Sequence, residues 1–131
     1  MNHYETNLKK YVATLENSHR EINQIPVNSD YQKKYTEGYL LVSSEALSSI
    51  RAFIDEDNLC KDYRAKMCEM RNEYHKKYLL FKKAKEGAFE DGQCRAAKDV
   101  DNDLDNMVQI IAHEELQKLK NHHQQTPSRR R

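Results

Sequence analysis

The sequence predicts an all-α protein: an antiparallel bundle of four helices, or of three around one long central helix, with a disordered basic C-terminal tail. The segment 31–86 contains one glycine and no proline, which suits long helices. From residue 39 to residue 88, apolar residues recur at spacings of three, four or seven, as on the packed face of a helix. No segment alternates apolar and polar residues as a half-buried strand does.

The composition predicts one helical domain over residues 1–121 and a basic tail over residues 122–131. The chain has 131 residues, of which 37% are apolar and 33% charged, and its mean hydropathy is −1.04. A length of this order suits a single domain, but the composition is polar for a compact one. Thin helices with one narrow apolar stripe each would explain it. So would a protein that completes its core with a partner, and this makes a homo-oligomer an expectation.

The charge balance argues against a global attraction to nucleic acid or membrane. The chain carries 22 basic and 21 acidic residues, a formal net charge of +1, so it creates no strong single-sign field. No uncharged run approaches the roughly 20 residues that span a bilayer, and the N-terminal residues lack the apolar core of a secretory signal. With three cysteines, an odd number, these features predict a reducing, cytoplasmic setting and no membrane partner.

Capping and breaking residues predict where the helices begin and end. Asn2 and Glu5 have the spacing of a capping box, as do Ser29 and Gln32, and Pro26 ends the first helix. The third helix is expected to end near residue 86, where Gly87 is placed to cap it. The other predicted helices span 4–24, 30–55 and 93–120, with 88–92 as a loop.

The polar segment 55–58 leaves two architectures open. Its sequence, Asp-Glu-Asp-Asn, can end the second helix, with Asp57 or Asn58 capping the third. However, neither glycine nor proline interrupts the chain here, and the apolar register is continuous across the segment. The alternative is one unbroken helix from residue 30 to residue 86, about 85 Å long.

Two acidic patterns are more typical of helix surfaces than of metal sites. Asp99, Asp101, Asp103 and Asp105 alternate, but a calcium loop that starts at the first of them needs glycine and glutamate where leucine and isoleucine stand. Glu16 and His19 have the spacing of a di-iron bundle ligand pair, but no matching second pair and glutamates accompany them. We therefore predict no metal and no cofactor.

The cysteine and histidine patterns give no catalytic residue. Cys60 and Cys68 lie eight residues apart without a CxxC pair, so buried free thiols are the favoured interpretation. The segment Arg71-Asn72-Glu73-Tyr74-His75 resembles the Arg…His pair of the HEPN ribonucleases, which are also helical bundles. The spacing between the two residues is shorter here than in that family, and we predict that the protein is not an enzyme.

Tyrosines provide the candidate binding residues. The chain has eight, and those on helical faces either pack at the edge of the core or bind a protein partner, since aromatic residues dominate binding hot spots. The predicted protein-binding residues are Tyr31, Tyr35, Tyr39, Tyr63, Tyr74 and Tyr78. They predict a small interaction protein that acts as an adaptor, a chaperone or an inhibitor of a larger protein, as phage and bacterial accessory proteins of this size do.

Basic residues give an alternative function. Lysines on the third helix and the arginines at the C-terminus can bind phosphates if they share one face. These nucleic-acid-binding candidates are Lys76, Lys82, Lys83, Arg129, Arg130 and Arg131. Their alternative role is a solvated, solubilising surface. Steep salt dependence would favour nucleic acid, whereas sensitivity to tyrosine truncation would favour a protein partner.

Overall fold

A computed structural model describes residues 3–58, 60–84 and 87–128, and their side chains as far as residue 121. These residues form four helices and no strand, which confirms the all-α bundle. The helices are α1 (His3–Gln24), α2 (Asp30–Asp55), α3 (Tyr63–Ala84) and α4 (Ala88–Ser128). None of the four, over the described residues, combines the length and apolarity that crossing a bilayer requires.

Helix α2 ends at Asp55, so the unbroken central helix is excluded. Glu56 adopts an extended ψ of 131° and its N–H donates to the Phe53 carbonyl at 3.3 Å. The predicted cap of the third helix was wrong: Asp62 holds that position, and its Oδ1 accepts the Ala65 N–H at 2.9 Å. Asn58 instead stabilises the loop by accepting the N–H of Cys60 at 2.9 Å.

The start of α2 is as predicted, whereas α4 starts five residues earlier than predicted. The Ser29 hydroxyl accepts the Gln32 N–H at 3.1 Å, which caps α2. Gly87 does not end α3 as a left-handed cap, since no described glycine has a positive φ. Its carbonyl accepts the Asp91 N–H at 2.9 Å and so opens α4. Acidic residues in the first turn of α4 suit the positive end of a helix dipole.

The C-terminal end of α4 also differs from the prediction. Its backbone continues to Ser128, past the predicted end near Lys120. The predicted basic tail covers residues 122–131, whose side chains lie outside the described part of the chain. That tail therefore stays a prediction.

The helices alternate in direction, and α4 lies between α2 and α3. Tyr31 of α2 bonds Asp91 of α4, and Tyr39, further along α2, bonds Asp99, further along α4. These two helices therefore run parallel. Helices α1 and α2 are antiparallel, since Arg51 of α2 contacts Glu16 of α1 and Ser43 of α2 contacts His19 of α1. Contacts of α3 with Asp101 and Asp105 of α4 show that these two helices are antiparallel as well. The largest interfaces are those of α4 with α2 and with α3, and α1 makes smaller contacts with all three.

Two glycines let the backbones of α2 and α4 touch. A Cβ atom at Gly38 would lie 2.0 Å from the Phe89 carbonyl oxygen, and one at Gly92 would lie 2.0 Å from that of Tyr35. No heavy atom fits at such distances. The parallel packing of the N-terminal halves of α2 and α4 therefore depends on glycine at both positions.

The core draws side chains from all four helices. It follows much of the predicted stripe through the second and third helices, and α4 contributes a buried stripe of its own. The fully buried large side chains are Leu8, Val42, Ile50, Met67, Met70, Tyr74, Val100, Leu104 and Ile111. One buried cluster thus includes residues from all four described helices.

Candidate protein-binding groove

The four alternating aspartates of α4 fasten the other three helices to it. Asp99 accepts the Tyr39 hydroxyl of α2 at 2.7 Å, and Asp103 accepts the Tyr11 hydroxyl of α1 at 3.0 Å. These carboxylates flank the buried stripe of α4 because residues four apart lie on one side of a helix. Each is therefore committed to an interhelical contact, and no group of three metal-ligating side chains occurs among the described residues.

The remaining two aspartates bind α3 and account for the Arg…His pair. Asp105 accepts Arg71 Nη1 at 3.2 Å, and Asp101 lies 2.9 Å from His75 Nδ1. Both side chains of the pair thus point to carboxylates of α4. This gives Arg71 and His75 a structural role in joining α3 to α4.

Burial and these contacts shift several pKa values. Burial, then the Asp103 carboxylate, raises the pKa of Tyr11 far above its ordinary value. Burial also raises the pKa of Tyr39, with the hydrogen bond to Asp99 as the next cause. Asp103 keeps part of its surface in water, but desolvation at the helix contact raises its pKa, and the hydrogen bond from Tyr11 lowers it. The phenols of both tyrosines therefore stay protonated donors at neutral pH.

The structure divides the six predicted tyrosines by exposure. Tyr63 and Tyr74 are buried, the latter to 2% exposure, and Tyr39 is half-buried with its hydroxyl held by α4. Tyr31, Tyr35 and Tyr78 meet at one surface depression, although Tyr78 belongs to a different helix from the other two. The structure thus brings three of the six together at the surface.

We call this depression the tyrosine groove and define it by the residues that line it. It is an open cleft of about 310 Å³, formed by the start of α2, the end of α3 and the start of α4. Its lining residues are Tyr31, Tyr35, Tyr78, Asp91, Cys94, Arg95 and Lys98. Of these lining residues, only the three tyrosines were associated with binding on the basis of the sequence.

One wall of the tyrosine groove is aromatic. The rings of Tyr31 and Tyr35 stack with centroids 6.2 Å apart and an interplanar angle of 26°. Tyr31 remains 56% exposed, and its hydroxyl donates to Asp91 Oδ2 at 2.8 Å. That hydrogen bond raises the pKa of Tyr31, and burial raises the pKa of Tyr35. The wall is a fixed aromatic surface open to solvent.

A second part of the groove, which we call the cation wall, consists of Lys98 and Arg95 in its lining and of Lys82 beside Tyr78. Lys82 Nζ lies 5.8 Å and Lys98 Nζ lies 5.7 Å from the ring centroid of Tyr78, which are cation–π distances. In the part of the chain that the structure describes, neither lysine pairs with a carboxylate. Arg95 contacts Asp99 through Nε at 3.1 Å, but its side chain is 60% exposed. Two of these three cations thus lack a charged partner within the described residues.

The other predicted basic residues do not extend this wall into a long stripe. Lys76 and Lys83 are exposed on α3 and do not line the tyrosine groove. Arg129, Arg130 and Arg131 lie outside the described residues. Of the three nucleic-acid candidates that the structure describes, only Lys82 lies beside the groove.

The cysteines occupy three different environments. Cys60 is exposed in the loop before α3, so its predicted burial was wrong, and Cys68 is half-buried. Cys94 is half-buried at the floor of the groove, with its thiol 3.9 Å from the Tyr78 carbonyl oxygen. All three are free thiols.

The residues that α4 contributes to the groove were missed by sequence reasoning, although a signal was present. Residues 91, 95 and 99 have the same four-residue spacing as Tyr31, Tyr35 and Tyr39. Two tyrosine–aspartate hydrogen bonds join these columns at a constant offset of 60 residues. The prediction that 88–92 is a loop concealed this match, because it removed Asp91 from the helix.

A second depression lies at the other end of the bundle. It has a volume of about 540 Å³ and is lined by His3, Glu115, Lys118 and Leu119. There α4 passes the start of α1, and all its described residues from 112 to 121 are exposed.

Comparisons with protein-family models, with curated proteins and with solved structures find no match to this chain.

Proposed function

We propose that the protein is a small non-enzymatic interaction module that binds a larger protein through the tyrosine groove. It would serve that partner as an adaptor, a chaperone or an inhibitor, in the cytoplasm. The observation that carries the proposal is the meeting of Tyr31, Tyr35 and Tyr78 from two helices at one open cleft. Tyrosine is enriched in binding hot spots because it offers a rigid apolar ring and a polar hydroxyl together.

The exposure of Tyr31 supports this role. A ring that served only the fold would gain most by being covered, yet more than half of the Tyr31 side chain faces water. The stacking with Tyr35 and the hydrogen bond to Asp91 fix its position before any partner arrives. A pre-ordered contact residue loses less conformational entropy on binding.

The test compares the tyrosine groove with an equally exposed apolar surface elsewhere. Tyr31→Ala removes the exposed ring, and Leu119→Ala removes an apolar side chain that is 66% exposed at the far end of α4. Each variant and the unmodified protein are immobilised and exposed to lysate of the cells that make the protein. The proposal expects a protein retained by the unmodified chain and by Leu119→Ala, and depleted at least five-fold by Tyr31→Ala.

The alternative function is nucleic-acid binding through the lysines of α3 and the arginines at the C-terminus. The observation that favours it is the combination of tyrosine rings with Lys82, Lys98 and Arg95, because single strands bind by stacking and phosphate contacts. Retention that nuclease abolishes, that falls steeply with salt, and that Lys76→Gln or Lys83→Gln weakens would favour this function over the first.

A further inference from the structure

We propose that the tyrosine groove recognises an acidic peptide segment of its partner, in which a carboxylate lies beside an aromatic or apolar side chain. The inference rests on the proposed function and adds the chemistry of the partner. Its basis is the proximity of the groove's tyrosine rings to two lysines, Lys82 and Lys98, that have no carboxylate partner in the described part of the chain.

The cations of the groove come from different helices and converge on one ring. Lys82 belongs to α3 and Lys98 to α4, yet both ammonium groups lie within 6 Å of the Tyr78 ring centroid. An anion beside this ring would be attracted by both ammonium groups, and Arg95, one helical turn from Lys98, is a third cation at the groove.

Some lysines elsewhere on the described surface are paired with carboxylates of the protein itself. Lys77 lies 3.5 Å from Glu73 and 3.8 Å from Glu45, and Lys9 lies 2.9 Å from Glu5. A carboxylate from a partner would take the place that these internal carboxylates take at other lysines.

The aromatic wall selects what accompanies the carboxylate. Tyr31 and Tyr35 offer stacked rings in the same groove that Lys98 lines. An aromatic or large apolar side chain can cover these faces and release their water. The cleft of about 310 Å³ has room for one or two side chains.

The same features favour a peptide over a nucleic acid. Asp91 lines the groove itself, and Asp99 lies next to Arg95, so a run of phosphates would meet negative charge on both sides. Nucleic-acid channels carry positive charge along several nucleotides, whereas here the described cations cluster at one point.

The experiment titrates isotope-labelled protein with blocked tripeptides and follows the backbone amide resonances by NMR. The probe is glutamate–tyrosine–glutamate, and its comparison peptide is glutamine–tyrosine–glutamine, which has the same shape without charge. We expect the acidic peptide to shift the resonances of Tyr31, Tyr35, Tyr78 and residues 94–98, and to bind about five-fold or more tightly than the neutral one. A short single-stranded DNA oligonucleotide is titrated in parallel.

Matched lysine variants locate the charge preference. The double variant Lys82→Gln/Lys98→Gln should lose most of the preference, because two exposed ion pairs contribute about two- to ten-fold together. The control variant Lys10→Gln/Lys120→Gln removes the same charge from exposed sites on α1 and on the distal part of α4. It should bind the acidic peptide as the unmodified protein does. Unfolding midpoints of both variants verify that they are folded.

The outcomes separate this inference from the proposed function. Equal binding of the acidic and neutral peptides at the groove overturns the acidic preference but leaves a tyrosine-based protein site standing. Groove resonances that respond to neither peptide overturn the inference, and the retention experiment with Tyr31→Ala then decides the proposed function on its own. Tighter binding of the oligonucleotide than of the acidic peptide overturns both and favours the nucleic-acid alternative.

Discussion

At Gly38 and Gly92 a single hydrogen in place of a side chain decides whether α2 and α4 can meet. Gly92→Ala ordinarily stabilises a helix by about 0.5–1 kcal/mol, but here its Cβ would overlap the Tyr35 carbonyl oxygen. We expect a net loss of about 1–3 kcal/mol in the free energy of unfolding, measured by urea denaturation. Gly87→Ala is the control, since its Cβ would meet nothing nearer than 3.7 Å. A neutral Gly92→Ala would contradict the close approach.

The hydrogen bond between Tyr11 and Asp103 gives a second prediction for single residues. Tyr11→Phe keeps the buried ring and removes the donor, so we expect a loss of about 1 kcal/mol in the free energy of unfolding. The pKa of Asp103 should rise further, because the Tyr11 hydroxyl is what lowers it. NMR titration of the carboxyl carbon measures the pKa. Tyr31→Phe, which breaks an exposed hydrogen bond to Asp91, should leave stability nearly unchanged.

His19 gives a pH dependence whose sign follows from its surroundings. Burial lowers its pKa, and Arg51 lowers it further, so below about pH 6.5 the unfolded chain binds the proton more readily than the folded one. Stability contributed by neutral His19 is complete above the unfolded pKa and is lost as the pH falls towards the folded pKa. Denaturation at a series of pH values should show this loss in the native protein and a smaller loss in His19→Gln. Identical slopes would contradict it.

At the scale of the helices, the sequence predicted correctly those helix ends that depend on residues close by in the chain. The Ser29 cap defines the start of α2, and the polar segment after Asp55 ends it. The start of α3 was missed because Asp57, Asn58 and Asp62 are all residues that can cap a helix. Only the folded structure selects Asp62. The register through Cys60 was coincidental, since that residue lies in the loop.

The start of α4 was missed for a reason that lies outside its own sequence. Two glycines five residues apart predicted a loop, but Gly92 is required by the tertiary contact with α2 and not by a turn. The sequence pattern of one helix does not show which other helix packs against it. The residues that α4 contributes to the tyrosine groove lie in the first turns of that helix. They were therefore not predicted together with the tyrosines.

The distal part of α4 gives a prediction for a whole element. Every described residue from 112 to 121 is exposed, and few contacts there join the bundle, among them Tyr4 Oη to Glu115 at 3.3 Å. A chain that ends at Asn121 should therefore unfold cooperatively, with a free energy of unfolding within about 0.5 kcal/mol of the full chain. A chain that ends at Ile111 should lose more, because it also removes the contacts to α1. Destabilisation by the shorter cut would move the domain boundary beyond residue 121.

At the scale of the whole molecule, the described helices bury one shared core, and we therefore expect a monomer instead of the homo-oligomer that the polar composition suggested. Small-angle scattering with an absolute mass tests this. A compact chain of this length has a radius of gyration of about 14 Å, and α4, with 41 residues, is about 60 Å long, so a monomer with a larger radius is expected. A doubled mass would contradict the monomer and direct attention to the exposed Leu116 and Leu119.

The fold class could be predicted from the sequence because apolar periodicity depends on each helix alone. The function could not, because the six candidate tyrosines look alike in the sequence and differ only in what covers them. Tyr74 is enclosed by the core, whereas Tyr31 faces water beside a lysine-bearing wall. The cation wall itself combines α3 and α4, which only the packed structure brings together.

The central claim, that the tyrosine groove is where a protein partner binds, is tested most directly by photocrosslinking in the cells that make the protein. A photoreactive phenylalanine analogue replaces Tyr31 in one strain and Leu119 in another, both being exposed positions. We predict a discrete protein adduct from position 31 that position 119 does not give and that nuclease does not remove. The same adducts from both positions, or adducts to nucleic acid alone, would contradict the claim.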